Sequence, residues 1–210
     1  MWLAFYNPVG IGDVLLLTSG PLDDDHVQTQ TEGPITLVKD QESGQVVSIN
    51  IFGQEKTLNL SGQSQIFLDQ NQVDKLHALL KSNGLDMSLE FDASPKFVVG
   101  HVQACKAHED SDHLSVTQIN VGNDRVEQIV CGARNIRQGL NVLVALPGAV
   151  MPSGQIIWPG NLRGVSSNGM VCSTRELGLT HIEDLPGIWE LKANFEPGTP
   201  LDQVVAAYQA

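Results

Sequence analysis

The stretch FVVGHVQACKAHEDSDHLSVTQINVGNDRVEQIVC, Phe97–Cys131, reads as three strands, a polar loop and a tight turn. Residues 97–105, 114–121 and 126–131 alternate or run apolar and are rich in valine and isoleucine, the pattern of half-buried strands. Gly122-Asn123-Asp124 joins the last two as a hairpin turn. His108–Leu114 is the polar loop. NVLVAL (141–146) and QIIW (155–158) supply two further strand candidates. Five short strands in about 80 residues, with one long interruption, fit a small Greek-key barrel such as an OB-fold. The periodicity fits an SH3-like barrel equally well.

Working toward the N-terminus, residues 2–7, 14–19, 26–31, 35–39 and 46–52 also read as short strands, separated by Gly, Pro and Asp clusters. Residues 70–82 change period. Val73, Leu76 and Leu80, with Leu79 beside them, make one apolar helical face; Asp69 is the expected N-cap and Asn83-Gly84 the stop. Pro95 ends a connection, and the charge balance changes there, which puts a boundary near residue 90. Toward the C-terminus, 187–191 (GIWEL) is a strand candidate. Thr199, Pro200 and Asp202 mark the start of a terminal helix packing through Val204, Val205 and Tyr208. The expected architecture is mainly β and α+β overall: a small N-terminal α+β domain (1–89), a C-terminal OB-fold Greek-key barrel (90–202) and a tail or helix end (203–210).

The 210 residues carry a formal net charge of −12, unevenly distributed. Residues 1–95 hold 4 basic and 13 acidic side chains, residues 96–179 hold 7 and 6, and residues 180–210 hold 1 and 5. All five arginines fall between 125 and 175. Scattered solvated arginines would account for this; so would a local phosphate-binding face on an otherwise acidic chain. The longest apolar runs, such as Val14–Leu17, are too short to span a bilayer, so no membrane partner is expected. The N-terminus lacks a basic segment followed by an apolar one, and the three cysteines are odd in number and widely spaced. A reducing cytoplasm is the expected setting.

Asn161–Leu179, NLRGVSSNGMVCSTRELGL, invites several chemistries. A serine nucleophile elbow needs G-x-S-x-G, and the glycines of Gly164-Val165-Ser166-Ser167-Asn168-Gly169 are one residue too far apart. No phosphate-loop motif is present, and Gly10-Ile11-Gly12 lacks the third glycine of a dinucleotide fingerprint. Cys131, Cys172, His108 and His113 offer no C-x-x-C pair, and the cysteines lie in apolar runs, as buried free thiols do. The acids at Asp23–Asp25 and at Asp110/Asp112 read as solvated turns. Neither an enzyme activity nor a cofactor is therefore expected. A nucleic-acid partner fits best. Between 96 and 179 the aromatics are Phe97 and Trp158 only, too few for a base-stacking platform. Arg, Asn and Ser without aromatics suit a folded RNA gripped by its phosphates, 2′-hydroxyls and shape.

Val98–Leu179 resembles the tRNA-binding domain of the bacterial phenylalanyl-tRNA synthetase β subunit, an OB-fold module also found in endothelial monocyte-activating polypeptide II. The resemblance rests on QIVCGA (128–133), ALPGAVMPSG (145–154) and LRGVSSNGM (162–170), in order and with natural gaps. With the N-terminal AFYNP and GIGDVL, the chain is similar to the YtpR-type stand-alone tRNA-binding proteins. The resemblance implies tRNA as partner, with a homodimer or a translation-related protein as further candidates, and no aminoacylation. It places RNA contacts at Arg163, Ser167 and Met170, with Asn168 a neighbour, and more weakly at Lys106, Arg134, Asn135 and Arg137. Gly164 and Gly169 would allow close backbone approach. The first loop departs from the family's H-P-x-A-D-[KR]-L: it reads His108-Glu109-Asp110-Ser111-Asp112-His113-Leu114. C-G-A-P-N has become Cys131-Gly132-Ala133-Arg134-Asn135, which restores a positive charge.

Overall fold

Leu15, Leu17, Ile35, Leu37, Ile49 and Ile51 recur two apart along three strands and are all buried, so one face of one sheet forms a core. This sheet belongs to the computed structural model, which describes residues 1–192 and 195–209. Its strands are β1 (Leu3–Tyr6), β2 (Val14–Thr18), β3 (Val27–Glu32), β4 (Ile35–Asp40), β5 (Val46–Phe52) and β6 (Ser64–Ile66), in the order β3-β4-β5-β2-β1-β6, with every ladder antiparallel. Short helices α1 (Pro8–Ile11) and α2 (Glu55–Leu58) lie in its connections.

Helix α3 (Gln70–Ser82) covers the core with Leu76 and Leu80 and has the limits that its period and caps imply. Asp69 accepts from the backbone N–H of Gln72 at 2.8 Å, and the Gln72 side chain accepts from the Asp69 N–H at 2.9 Å, a reciprocal capping box. Gln72 Nε2 also donates to the carbonyls of Leu58 and Asn59, tying α3 to the end of α2. Asp69→Ala is expected to destabilise this unit by about 1 kcal/mol. Amide exchange along α3 measures it, and unchanged protection would mean that Gln72 alone holds the helix start.

The chain divides into two units between Ala93 and Ser94. The second contains β7 (Phe97–Ala107), β8 (Ser115–Asn120), β9 (Val126–Cys131), β10 (Asn141–Ala145), the hairpin strands β11 (Gly160–Leu162) and β12 (Val165–Ser167), β13 (Met170–Val171) and helix α4 (Leu201–Gln209). Five strands form an antiparallel sheet ordered β13-β10-β7-β8-β9. The long β7 pairs with β10 through its first half and with β8 through its second, and a bulge between Val102 and Ala104 bends it between the two. The free edges then meet: Asn168 N–H donates to Gln128 O at 2.8 Å, and Val130 N–H to Ser167 Oγ at 3.0 Å. The result is a nearly closed OB-like barrel.

Val102, Ile119, Ile129, Cys131, Val142 and Val144 fill the barrel. Val99, Leu143 and Ala145 point the other way, into a second core with Met151, Ile157, Trp189 and Val204. Burial on both faces explains why β10 is apolar without alternation. Helix α4 closes this outer core, with Tyr208 edge-on to Trp189 at 5.1 Å between ring centroids.

Several expectations need correction. QIIW forms only a single bridge, Val150 to Ile156, and 187–191 only one, Val142 to Glu190. Helix α4 begins at Leu201, and the Thr199 hydroxyl donates back to Glu196 O at 2.7 Å. Strands β6, β11, β12 and β13 are additions to the sequence reading. Among the described residues no helix is long and apolar enough to cross a membrane.

Candidate nucleic-acid interface

Residues paired across antiparallel strands point to the same side of a sheet. The β7–β8–β9 register therefore defines three rows on the outer face of the barrel: His101, Asn120 and Val126; Ala104, Gln118 and Gln128; Lys106, Val116 and Val130. Their neighbours in sequence, such as Val102, Ile119 and Ile129, fill the interior. Gln118 Nε2 donates to Gln128 Oε1 at 2.9 Å. Gln128 Nε2 in turn donates to the carbonyl and hydroxyl oxygens of Ser166, at 2.9 and 3.0 Å. A polar ladder thus crosses the face and ends on the β11–β12 hairpin.

The hairpin pairs Leu162 with Val165 around a two-residue turn, Arg163-Gly164. Both turn residues have positive φ, 47° and 81°, as a type I′ turn requires. Gly164 adopts this without steric penalty. Arg163 does not, and a left-handed non-glycine residue costs about 1–2 kcal/mol. The turn holds the Arg163 side chain exposed, its Nη1 donating to Asp110 O at 3.1 Å. His108, only 4% exposed, makes a second link. Its Nδ1 accepts from Asp110 N–H at 3.0 Å, so Nε2 carries the proton and donates to Leu162 O at 3.2 Å. The 108–114 loop is joined to the hairpin at both points, and the side chains of Glu109, Asp110, Asp112 and His113 are exposed on it.

The sequence-derived candidates separate into two groups. Arg163, Lys106 and Arg134 are exposed, and none has a carboxylate partner among the described residues. The other arginines are engaged: Arg125 with Glu127, Arg175 with Asp184 at 2.8 Å, and Arg137 with Glu190 through two bonds of 2.9 and 2.8 Å. The Arg137 hydrogen bonds hold the Glu190 carboxyl below the usual carboxylate range, and Glu190 raises the guanidinium in return. Asn135 is also committed. Its Oδ1 accepts from Ile188 N–H, and its Nδ2 donates to Ile188 O and to Glu190, so it fastens the 188–190 segment.

Ser167 is 4% exposed, and its hydroxyl accepts from Val130 N–H while donating to Gly169 O at 3.3 Å. The structure places this sequence-derived candidate at the barrel closure, with its hydroxyl committed to backbone groups. Asn168 serves the same closure through its backbone N–H, and Met170 packs half-buried against the outer core. The cysteines are free thiols. Burial pushes the Cys172 thiol up to about 12 and raises that of Cys131, so neither is a thiolate near neutral pH. Among the described residues no three metal-ligating side chains cluster.

His108, Gln118, Gln128 and Ser166 are the additions that the structure makes to the candidate site. Alternation against the core positions Ile119 and Ile129 marks the two glutamines as outward-facing. His108 carries no such signal, because its partner Leu162 is 54 residues away.

Residues 97–200 match the family profile described as "Putative tRNA binding domain", and residues 22–92 match "Domain of unknown function (DUF4479)". The chain is 38% identical over 195 residues to the "Putative tRNA-binding protein YtpR" of Bacillus subtilis (strain 168), covering 93% of this chain and 96% of that protein. It is 51% identical over 138 residues to the phenylalanine–tRNA ligase β subunit of Rhodospirillum rubrum, covering 64% of this chain and 16% of that one. The corresponding subunit of Sulfurimonas denitrificans is 46% identical over 124 residues, covering 58% and 16%. The match therefore spans a small part of each ligase subunit.

Proposed function

The chain belongs to the YtpR family, and from that premise we propose that it is a cytoplasmic, non-catalytic protein that binds folded tRNA through the outer face of the barrel. The contacts are Arg163, Lys106 and Arg134 to phosphates, with Gln118 and Gln128 supplying neutral hydrogen bonds between them. Recognition is by shape and charge with low sequence specificity, because the three rows of this face offer no Phe, Tyr or Trp on which a base could stack. Ser167, Asn168, Asn135 and Arg137 serve the framework. The observation that carries the reading is Arg163, held exposed in an unfavourable backbone conformation and free of any carboxylate partner among the described residues.

Titration of unfractionated tRNA across a salt series tests it. Arg163→Ala is expected to weaken binding roughly tenfold and to make the log–log salt slope shallower by about one. Unchanged affinity and slope would remove Arg163 from the interface. A second reading, a protein-interaction module whose OB-fold has weakened or lost RNA binding, is favoured by the exposed acids Glu109, Asp110 and Asp112 on the loop that Arg163 touches. It predicts no tRNA binding by the wild-type protein even at low salt.

A further inference from the structure

We propose that His108 is the positioning residue that holds the Arg163 turn in its binding geometry, an inference that rests on the RNA-binding reading of this face. The imidazole has two neighbours. Its Nδ1 takes the Asp110 N–H, which fixes the proton on Nε2, and Nε2–H is aimed at the carbonyl of Leu162, the residue immediately before the strained Arg163. Burial keeps water from replacing either bond. The hairpin has little else to hold it in place. Gly160, Asn161, Leu162, Arg163 and Gly164 are all exposed, and each hairpin strand is three residues long. At the β12 end Gln128 and Ser167 tie the hairpin to the barrel; at the turn the ties are His108 to Leu162 and Arg163 to Asp110. Both turn ties lead to the same loop, and His108 fixes that loop's Asp110 as well. The Asp110 bond fixes the proton on Nε2, and the Leu162 bond then holds the hairpin end from which the guanidinium takes its direction.

The two nitrogens can be separated by substitution. The amide nitrogen of a glutamine side chain reaches the place of Nε2, and the amide oxygen of an asparagine reaches that of Nδ1. In the full-length protein, His108→Gln keeps a donor for Leu162 O, whereas His108→Asn keeps only an acceptor for Asp110 N–H. With unfractionated tRNA, His108→Gln is expected to bind within about twofold of wild type. His108→Asn and His108→Ala should lose roughly as much as Arg163→Ala, about tenfold. The double variant His108→Ala/Arg163→Ala should be no weaker than Arg163→Ala alone, since both remove the same oriented charge. Independently of RNA, amide exchange at residues 160–167 should accelerate in the Asn and Ala variants and stay slow in the Gln variant. Additive losses, or wild-type exchange in His108→Ala, would overturn the inference. If Arg163→Ala leaves tRNA binding intact while exchange follows the expected order, the RNA-binding reading fails and the positioning of the turn stands.

Discussion

Gly169→Ala is expected to destabilise the barrel by about 3 kcal/mol. Gly169 has φ +138°, a region that L side chains rarely enter. A Cβ there would stand 2.7 Å from the Ala145 carbonyl oxygen and 3.2 Å from Ile129 Cδ1. The first of these is backbone in the middle of a sheet: Ala145 pairs with Phe97 on one side and Met170 on the other. No side-chain rotation relieves the clash, so either β13 leaves β10 or Gly169 changes conformation and pulls Ser167 and Asn168 away from β9. Urea unfolding in a Trp2→Phe background, where Trp158 and Trp189 report on the barrel, measures the loss. A change below about 1 kcal/mol would show that β13 shifts without breaking the closure.

Ser167→Ala should cost about 2 kcal/mol, the penalty for leaving a buried amide without an acceptor. The orphaned donor is Val130 N–H, 3.0 Å from the hydroxyl. Because that hydroxyl lies inside the closure, the folded variant should bind tRNA within about twofold of wild type. Stability and affinity are thus expected to part company at Ser167, and to do so in the opposite sense from Arg163, where binding falls. Undiminished stability with lost binding would return Ser167 to the RNA surface.

Local patterns were legible wherever one residue's neighbours in sequence are also its neighbours in space. The α3 cap at Asp69, the period of Leu76 and Leu80, and the β8–β9 turn at Gly122-Asn123-Asp124 are of this kind. The turn forms as read, with φ of 86°, 52° and 55° and Arg125 N–H donating to Gly122 O at 3.0 Å. The β11–β12 hairpin escapes such reading, since its strands are three residues each and Arg-Gly is not a usual turn pair. QIIW has strand composition, but Ile157 is spent on the outer core and only one bridge forms. In the site, the charge of Arg163 and Arg134 was visible, whereas the commitment of Arg137 to Glu190, 53 residues away, was not. The same limit applies to Ser167. Its motif marks it as special, but its partner Val130, 37 residues earlier, is found only in the fold.

All three thiols belong to the barrel unit, and the first unit contains none. Cys105 is half-buried, whereas Cys131 and Cys172 are buried. Alkylation kinetics on the unmodified protein therefore supply a clock for one unit only. Cys105 is marked early, and the other two become reactive when the barrel opens, at a rate set by the frequency of that opening. However the sheet of the first unit breathes, this clock does not run on it, so the chain carries a unit-specific stopwatch without an engineered label.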